Sequence, residues 1–376
     1  MESETIVTLS SFLVEPNPRP ATEAERAQKM VSPAFGTVFT DHIAMIPWHA
    51  DRGWHDPRIT ARASLSLDPA ASVLHYGQAV FEGFKAYRQP DGSVATFRPN
   101  AHGERFIRSC ERMAMPGLPV ETFIEATDRL ILQDRAWVPT HPEHTMYLRP
   151  LMIATEAALG VRRAQEYLFL VQASPTGPYF ASGIRPIAVW ASREYSRTAP
   201  GGTGMAKCAG NYAASLLPQE QARSKGCSQV MWLDAKEHRF VEELGGMNLF
   251  FVLAHGSDKV VVTPTIEGGT LLAGITRASL LELARARGYR VEERLVPFDE
   301  VLSAIADGTM LEIFACGTAA VVTPVGRVLS NEGEHVVTED EQMGPVSAEL
   351  RSALVSIQRG TAPDTHGWMH TVPGTG

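Results

Sequence analysis

Residues 173–186 read Ala-Ser-Pro-Thr-Gly-Pro-Tyr-Phe-Ala-Ser-Gly-Ile-Arg-Pro, with three prolines and two glycines set between apolar runs. Proline fixes φ and offers no backbone N–H, and glycine loses the most freedom on ordering, so such a stretch reads as a linker or functional loop. A 376-residue chain interrupted there folds most simply as two domains of about 150 to 200 residues. We expect an arm over 1–34, where Pro16, Pro18 and Pro20 precede a polar run. An N-terminal domain over 35–175, an interdomain loop over 176–186 and a C-terminal domain over 187–376 follow.

Periodicity fills both domains with a mixture of elements. In the first, strands are expected at 37–46, 94–97, 147–154 and 167–173 and helices at 100–113 and 120–134. That is α+β rather than a regular βαβ repeat. In the second, 187–191 reads as a strand and 211–225 as a helix kinked by Pro218. Apolar runs at 229–233, 240–244, 247–253 and 260–263 are joined by turns short enough to make them antiparallel neighbours. Leu280, Leu281 and Ala284 give 276–287 a helical face that Gly288 ends.

Composition narrows the function. There are 34 Lys plus Arg against 42 Asp plus Glu, a net charge of −8 with no basic block, which argues against nucleic acid as a partner. No apolar run is long enough to span a bilayer, and the start carries Glu2, Glu4 and Glu15 with no cation before Arg19, unlike a signal peptide. Cys110, Cys208, Cys227 and Cys316 form no C-x-x-C pair, which fits reduced thiols in a cytoplasm. His42, His49, His55 and His75 lack partners at ligand spacing, so no metal site is expected.

Three local features carry possible chemistry. Between Arg197 and Glu220 the one charged side chain is Lys207, set among Gly201, Gly202, Gly204, Ala206, Ala209 and Gly210. A lysine there either snorkels out of a loop or holds its amine in a partly apolar pocket, where desolvation lowers its pKa and frees it for covalent chemistry. The run Leu271-Leu272-Ala273-Gly274-Ile275-Thr276 opens a helix. Its free N–H groups suit an anion, unless Thr276 caps them. The turn Cys316-Gly317-Thr318-Ala319 is either a plain hairpin or a second set of donors for a phosphate or carboxylate. The P-loop and dinucleotide-binding patterns both fail, because Lys207 stands where a G-x-G-x-x-G begun at Gly202 needs its last glycine.

Taken together the features have a familiar order. Glu243-x-Gly245-x-x-Asn248-Leu249-Phe250, then Val261-x-Thr263, then Leu272-x-Gly274-Ile275-x-Arg277 resembles the signature of class IV, or fold-type IV, pyridoxal-phosphate enzymes. Within that class, His75-Tyr76-Gly77-Gln78-Ala79-Val80-Phe81-Glu82-Gly83, Tyr147-Leu148-Arg149-Pro150, Lys207-Cys208-Ala209-Gly210-Asn211-Tyr212 and Cys316-Gly317-Thr318-Ala319 are similar to the branched-chain amino acid aminotransferases. The actinobacterial members look closest. The resemblance runs from about Phe35 to Trp368. It implies a two-domain fold with a smaller N-terminal α/β domain, a larger C-terminal barrel-like domain, and pyridoxal 5′-phosphate in the cleft between them.

The resemblance also implies roles. Lys207 would hold the cofactor covalently and shuttle the substrate α-proton. Glu243 would sit against the pyridine nitrogen and Tyr212 would hydrogen-bond the phenolic oxygen. Arg105, Gly274, Ile275, Thr276 and Thr318 would receive the phosphate. Tyr76, Thr318 and Ala319 would receive the substrate α-carboxylate, with Tyr147 and Arg149 nearby. Phe35, Phe81, Tyr147, Tyr179, Gly246 and Ala319 would line the side-chain pocket. Leu159 and Val161 would reach it from the partner subunit of a homodimer. The expected reaction moves an amino group from Leu, Ile or Val to 2-oxoglutarate; the alternative is a relative specialised for an aromatic or unusual amino acid. Ala320 and Thr323 stand where vertebrate members carry a C-x-x-C pair, so no thiol switch is expected there. Pro178 replaces a common alanine and Ala273 a common proline, both beside the expected contacts.

Overall fold

The structure, a computed structural model, describes residues 12–177 and 183–375. Two compact units emerge, one of Met1–Tyr179 with His366–Gly376 and the other of Phe180–Thr365.

The first unit is built on a ten-stranded sheet whose central strands are His42–His49, Glu166–Thr176, Thr145–Ala154 and Phe84–Arg88, paired antiparallel in that order. The helices Pro99–Arg112 and Val120–Gln133 lie within a residue or two of their expected spans. They bury their apolar stripes together with the sheet. Phe106 from one and Phe123 from the other stand 5.6 Å apart, Phe84 lies 5.8 Å from Phe123 and Phe169 lies 5.4 Å from Phe106. All four rings are fully buried, each removing about 2 to 3 kcal/mol of apolar surface from water. The first strand begins at His42, later than expected, because 34–37 close a turn in which the Thr37 N–H donates to the Ala34 carbonyl. The described part of the arm is ordered. Leu13–Val14 pairs in parallel with Arg58–Ala61, and Thr22 and Glu25 form a capping box on the helix Glu23–Met30.

The chain end corrects the expected boundaries. Residues 366–376 were expected with the C-terminal domain, yet Met369–Thr371 pairs antiparallel with Val94–Phe97 in the first sheet. The Val372 N–H then donates to the Val94 carbonyl, and Trp368 packs edge-on against Phe97 at 5.7 Å. The two units therefore come out nearly equal in length, not as a smaller and a larger one.

His370 ties this strand to the helix Val120–Gln133 through Asp128 Oδ2 at 2.7 Å. The hydrogen bond to Asp128 raises the His370 pKa above its ordinary value, against the opposing effect of burial. A raised folded-state pKa stabilises the docked tail fully below the unfolded value near 6.5 and loses that contribution as pH rises through the folded value. Amide exchange in 369–372, measured against pH-corrected intrinsic rates, should therefore quicken from pH 6 to pH 9, about as much as in His370→Gln at pH 6.

The second unit contains a closed barrel. Strands Val241–Leu244, Gln229–Leu233, Ile187–Ser192, Val321–Ser330, Met310–Gly317 and Met247–His255 pair in that order, and the last pairs back to the first. The expected antiparallel runs are present: Gln229–Leu233, Val241–Leu244 and Met247–His255 are neighbours in the ring, and Asp258–Pro264 pairs onto Met247–His255 outside it. Its interior is apolar, with Val189, Met231, Leu249, Phe251, Ile313 and Val325 almost fully buried. The expected kinked helix is instead two, Ala209–Ala213 and Leu216–Ser224. Pro218 falls in the first turn of the second helix, where its missing N–H costs no intrahelical bond, so the chain breaks before it.

Candidate active site

Strand register assembles one end of the barrel. Glu243 stands opposite Asn248, and Asn248 opposite Cys316. Gly245 and Gly246, which turn the chain between Val241–Leu244 and Met247–His255, therefore lie beside the Gly317–Thr318–Ala319 turn. There a Cβ on Gly317 would approach Met247 Cγ to 3.3 Å. Thr318 and Ala319 are half-buried in this turn.

Glu243 is buried and surrounded by donors. Its Oε1 accepts from the Leu272 N–H at 2.8 Å and from Asn248 Nδ2 at 3.3 Å, and its Oε2 pairs with Arg197 Nε at 3.0 Å. The neighbouring Glu242 differs. Burial pushes its carboxyl pKa up, and its Oε2 is buried without a hydrogen bond.

Asn248 passes the arrangement on. Its Nδ2 also donates to the Leu272 carbonyl at 3.1 Å, and its Oδ1 lies where a Cβ on Gly274 would come within 1.9 Å. Only glycine fits at 274, directly before the helix Ile275–Ala286. Gly274 stands at its N-cap with no side-chain cap hydrogen bond, so Thr276 is not the cap, and among the described residues no side chain is recorded as accepting from its first N–H groups. Thr263 and Arg277, the other signature positions, buttress from behind: Arg277 Nε donates to Thr263 Oγ1 at 3.3 Å and Thr263 Oγ1 to the Leu249 carbonyl at 2.7 Å.

Lys207 sits on the irregular segment before the helix Ala209–Ala213, between the buried Ala206 and Cys208. Its Nζ donates to Tyr212 Oη at 2.8 Å, and Gly246 lies against the Tyr212 ring, where a Cβ would stand 3.3 Å from Cε1. Arg197, besides holding Glu243, donates to the Thr270 carbonyl at 3.1 Å. Gly204 of the lysine loop packs on that same carbonyl. Lys207, Tyr212, Gly246, Glu243, Gly274 and the helix start thus belong to one connected arrangement.

The first unit brings together a second group. Phe35 packs edge-on against Tyr147 at 4.8 Å, and the Arg149 guanidinium lies 4.8 Å from the Phe81 ring and 5.3 Å from the Tyr147 ring. Arg149 donates to Tyr147 Oη at 3.0 Å, while its Nε is buried without a hydrogen bond. Among the described residues no carboxylate stands within ion-pair distance of it. Gly83 makes room, because a Cβ there would lie 1.8 Å from Tyr147 Oη. Next to it Glu82, fully buried, grips Arg105 with both oxygens, at 2.6 Å to Nε and 2.9 Å to Nη2, and accepts from His102 Nδ1 at 2.8 Å. Burial opposes its charge, yet Arg105 and His102 hold its carboxyl well below the usual range. Tyr76 is tied instead to the Leu159 carbonyl, on a surface where Leu159 is 64% and Val161 84% exposed. Tyr179 lies outside the described residues.

The class IV amino-transferase family matches residues 79–328, a span holding both groups except Phe35 and Tyr76. The chain belongs to that family. A probable branched-chain-amino-acid aminotransferase of Streptomyces coelicolor is 53% identical over 367 residues, covering 97% of this chain and all of the relative. A branched-chain-amino-acid aminotransferase of Mycolicibacterium smegmatis is 52% identical, covering 95% of this chain and 97% of its own. Among solved structures, a T.th. branched-chain amino acid aminotransferase complexed with N-(5′-phosphopyridoxyl)-L-glutamate is similar with a TM-score of 0.70 at 27% identity, covering 88% of this chain and 99% of that one. The chain is thus a fold-type IV enzyme, a branched-chain aminotransferase by kinship.

Several residues of these two groups look ordinary in the sequence. Arg197 marks only the edge of a charge-poor stretch, and its partner Glu243 is 46 positions away. Asn248 stands in the signature without a stated task. Glu82 and His102 read as ordinary polar residues until folding buries them around Arg105.

Proposed function

We propose that this aminotransferase moves the amino group of Leu, Ile or Val to 2-oxoglutarate, giving the branched 2-oxo acid and L-glutamate. The observation that carries the reading is Arg149, a cation against the Phe81 and Tyr147 rings with no carboxylate at ion-pair distance among the described residues. An apolar side chain fits aromatic walls, while the second carboxylate of glutamate or 2-oxoglutarate needs a guanidinium to receive it. The glutamate-bearing ligand of the T.th. relative supports that pairing.

The residues fit pyridoxal 5′-phosphate, on the observation that the helix Ile275–Ala286 starts without a side-chain cap behind an obligatory glycine. When bound, the cofactor supplies an aldehyde that accepts amino groups and a ring that takes up the electron pair released at the substrate α-carbon. Ile275 and Thr276 would donate backbone N–H groups to its phosphate, and Glu243, held as an acceptor by three donors, would keep its ring nitrogen protonated. Lys207 would hold the cofactor and carry the α-proton, with Tyr212 Oη fixing its amine.

We infer a homodimer, supported by Leu159 and Val161, whose exposed apolar side chains suit burial against a second copy. The four free, buried cysteines support a reducing compartment such as the cytoplasm.

An amino-donor panel with 2-oxoglutarate tests the assignment. Leu, Ile and Val should be the best donors; an aromatic amino acid outrunning all three would overturn it. Arg149→Met should raise KM for 2-oxoglutarate by about 10- to 100-fold, the loss of a charged hydrogen bond. KM for 4-methyl-2-oxopentanoate should change little.

A further inference from the structure

The loop that carries Lys207 is irregular and rich in glycine, so something else must set where the amine stands. Its turns are closed locally by the Gly202 N–H on the Ala199 carbonyl and the Ala206 N–H on the Thr203 carbonyl. Across them runs one side chain, Asn211. Its Nδ2 donates to the Thr203 carbonyl at 2.8 Å and to the Ala206 carbonyl at 2.9 Å, and its Oδ1 accepts from the Thr203 hydroxyl at 2.6 Å. Asn211 is 6% exposed, so water does not compete for these bonds.

Two connections meet at this residue. Ala206, which Asn211 holds, is the residue before Lys207, and Tyr212, whose hydroxyl accepts from Lys207 Nζ at 2.8 Å, is the residue after Asn211 on the helix Ala209–Ala213. The amide therefore clamps the backbone on the near side of Lys207 to the element that holds its far end. A planar amide with both hydrogens and its oxygen engaged has one orientation available, and the loop inherits that orientation.

We propose that Asn211 is a positioning residue that sets the Lys207 amine against Tyr212 Oη and so controls how fast that amine captures pyridoxal 5′-phosphate. The inference rests on the assignment of Lys207 given above. In the capture step the Lys207 nitrogen bonds to the aldehyde carbon, and the aldehyde oxygen leaves as water with the two amine protons. Reaction rates of this kind depend steeply on placement, and an ångström of displacement costs orders of magnitude. Asn211→Asp keeps the size and the acceptor for Thr203 but points an oxygen at two carbonyl oxygens, pushing the loop away. Asn211→Ala leaves the loop untied.

The test separates capture from binding in the full-length protein stripped of cofactor. Covalent capture is followed by absorbance on adding pyridoxal 5′-phosphate and by the mass of Lys207 peptides after borohydride. Binding without capture is followed with pyridoxine 5′-phosphate, which has no aldehyde. Asn211→Ala and Asn211→Asp should slow capture by about tenfold or more while binding pyridoxine 5′-phosphate with unchanged affinity. Thr203→Val, which removes one of the three bonds and keeps the backbone acceptors, should fall between and serves if the Asn211 variants fail to fold. Capture at the unaltered rate, or capture and pyridoxine 5′-phosphate affinity falling in step, would overturn the positioning role. A chain whose unaltered form captures no cofactor on Lys207 overturns the Lys207 assignment and this inference with it.

Discussion

Lys207→Ala is expected to lower turnover by at least about 1,000-fold, because it removes both the nucleophile and the proton carrier. Fold and stability should change little. Lys207 is only half-buried on an irregular segment, and its described bond is to the Tyr212 hydroxyl, which a water can replace. The substitution leaves the Glu243 cluster and the uncapped helix start in place, so the variant should still bind pyridoxal 5′-phosphate without linking to it. Steady-state rates together with equilibrium dialysis of the cofactor check both halves. Turnover surviving within tenfold of the unaltered chain would remove Lys207 from the reaction.

Glu243→Gln is expected to damage both stability and catalysis, and by a route that follows from donor counting. Three donors converge on the two carboxylate oxygens, from Leu272, Asn248 and Arg197. A glutamine has one oxygen, so whichever way its amide turns, its NH2 meets either Arg197 or the Leu272 and Asn248 donors. A buried donor left facing donors costs about 1 to 3 kcal/mol. Calorimetry should show that loss in the cofactor-free protein. The catalytic loss is larger, about 100-fold or more, because a neutral amide does not keep a ring nitrogen protonated. An unaltered melting temperature would mean that Arg197 has another partner; unaltered turnover would mean that the ring needs no carboxylate. Arg197→Leu should reproduce the stability loss, since it strands the Glu243 charge in a buried place.

Much of this fold is legible in the sequence, for physical reasons that differ by element. The helices Pro99–Arg112 and Val120–Gln133 announce themselves because one stripe of each is buried: His102, Phe106 and Cys110 recur four apart in the first, and Phe123, Thr127 and Leu130 four and three apart in the second. The barrel strands Gln229–Leu233, Val241–Leu244 and Met247–His255 are legible because each is an apolar run beside a short polar turn. The strand Met369–Thr371 is not legible: three residues carry no period, and their partner at Val94–Phe97 lies at the other end of the chain. Pro218 misled because a proline breaks a helix only away from its first turn, and the sequence alone does not mark where that turn begins. At the site, residue types with unusual company, Lys207 among glycines and Glu243 in a signature, were readable. The residues that hold them, Arg197 and Asn211, were not, nor was Glu82, which holds Arg105, because their task is set by distance in space and they look ordinary in the chain.

Reduction and mass analysis test directly whether Lys207 holds pyridoxal 5′-phosphate. Purified protein incubated with the cofactor should be yellow. Borohydride should bleach it, and mass spectrometry of a digest should place one reduced phosphopyridoxyl group on the peptide containing Lys207. A colourless protein, or a label distributed over surface lysines such as Lys225 and Lys236, would rule out Lys207 as the residue that holds the cofactor.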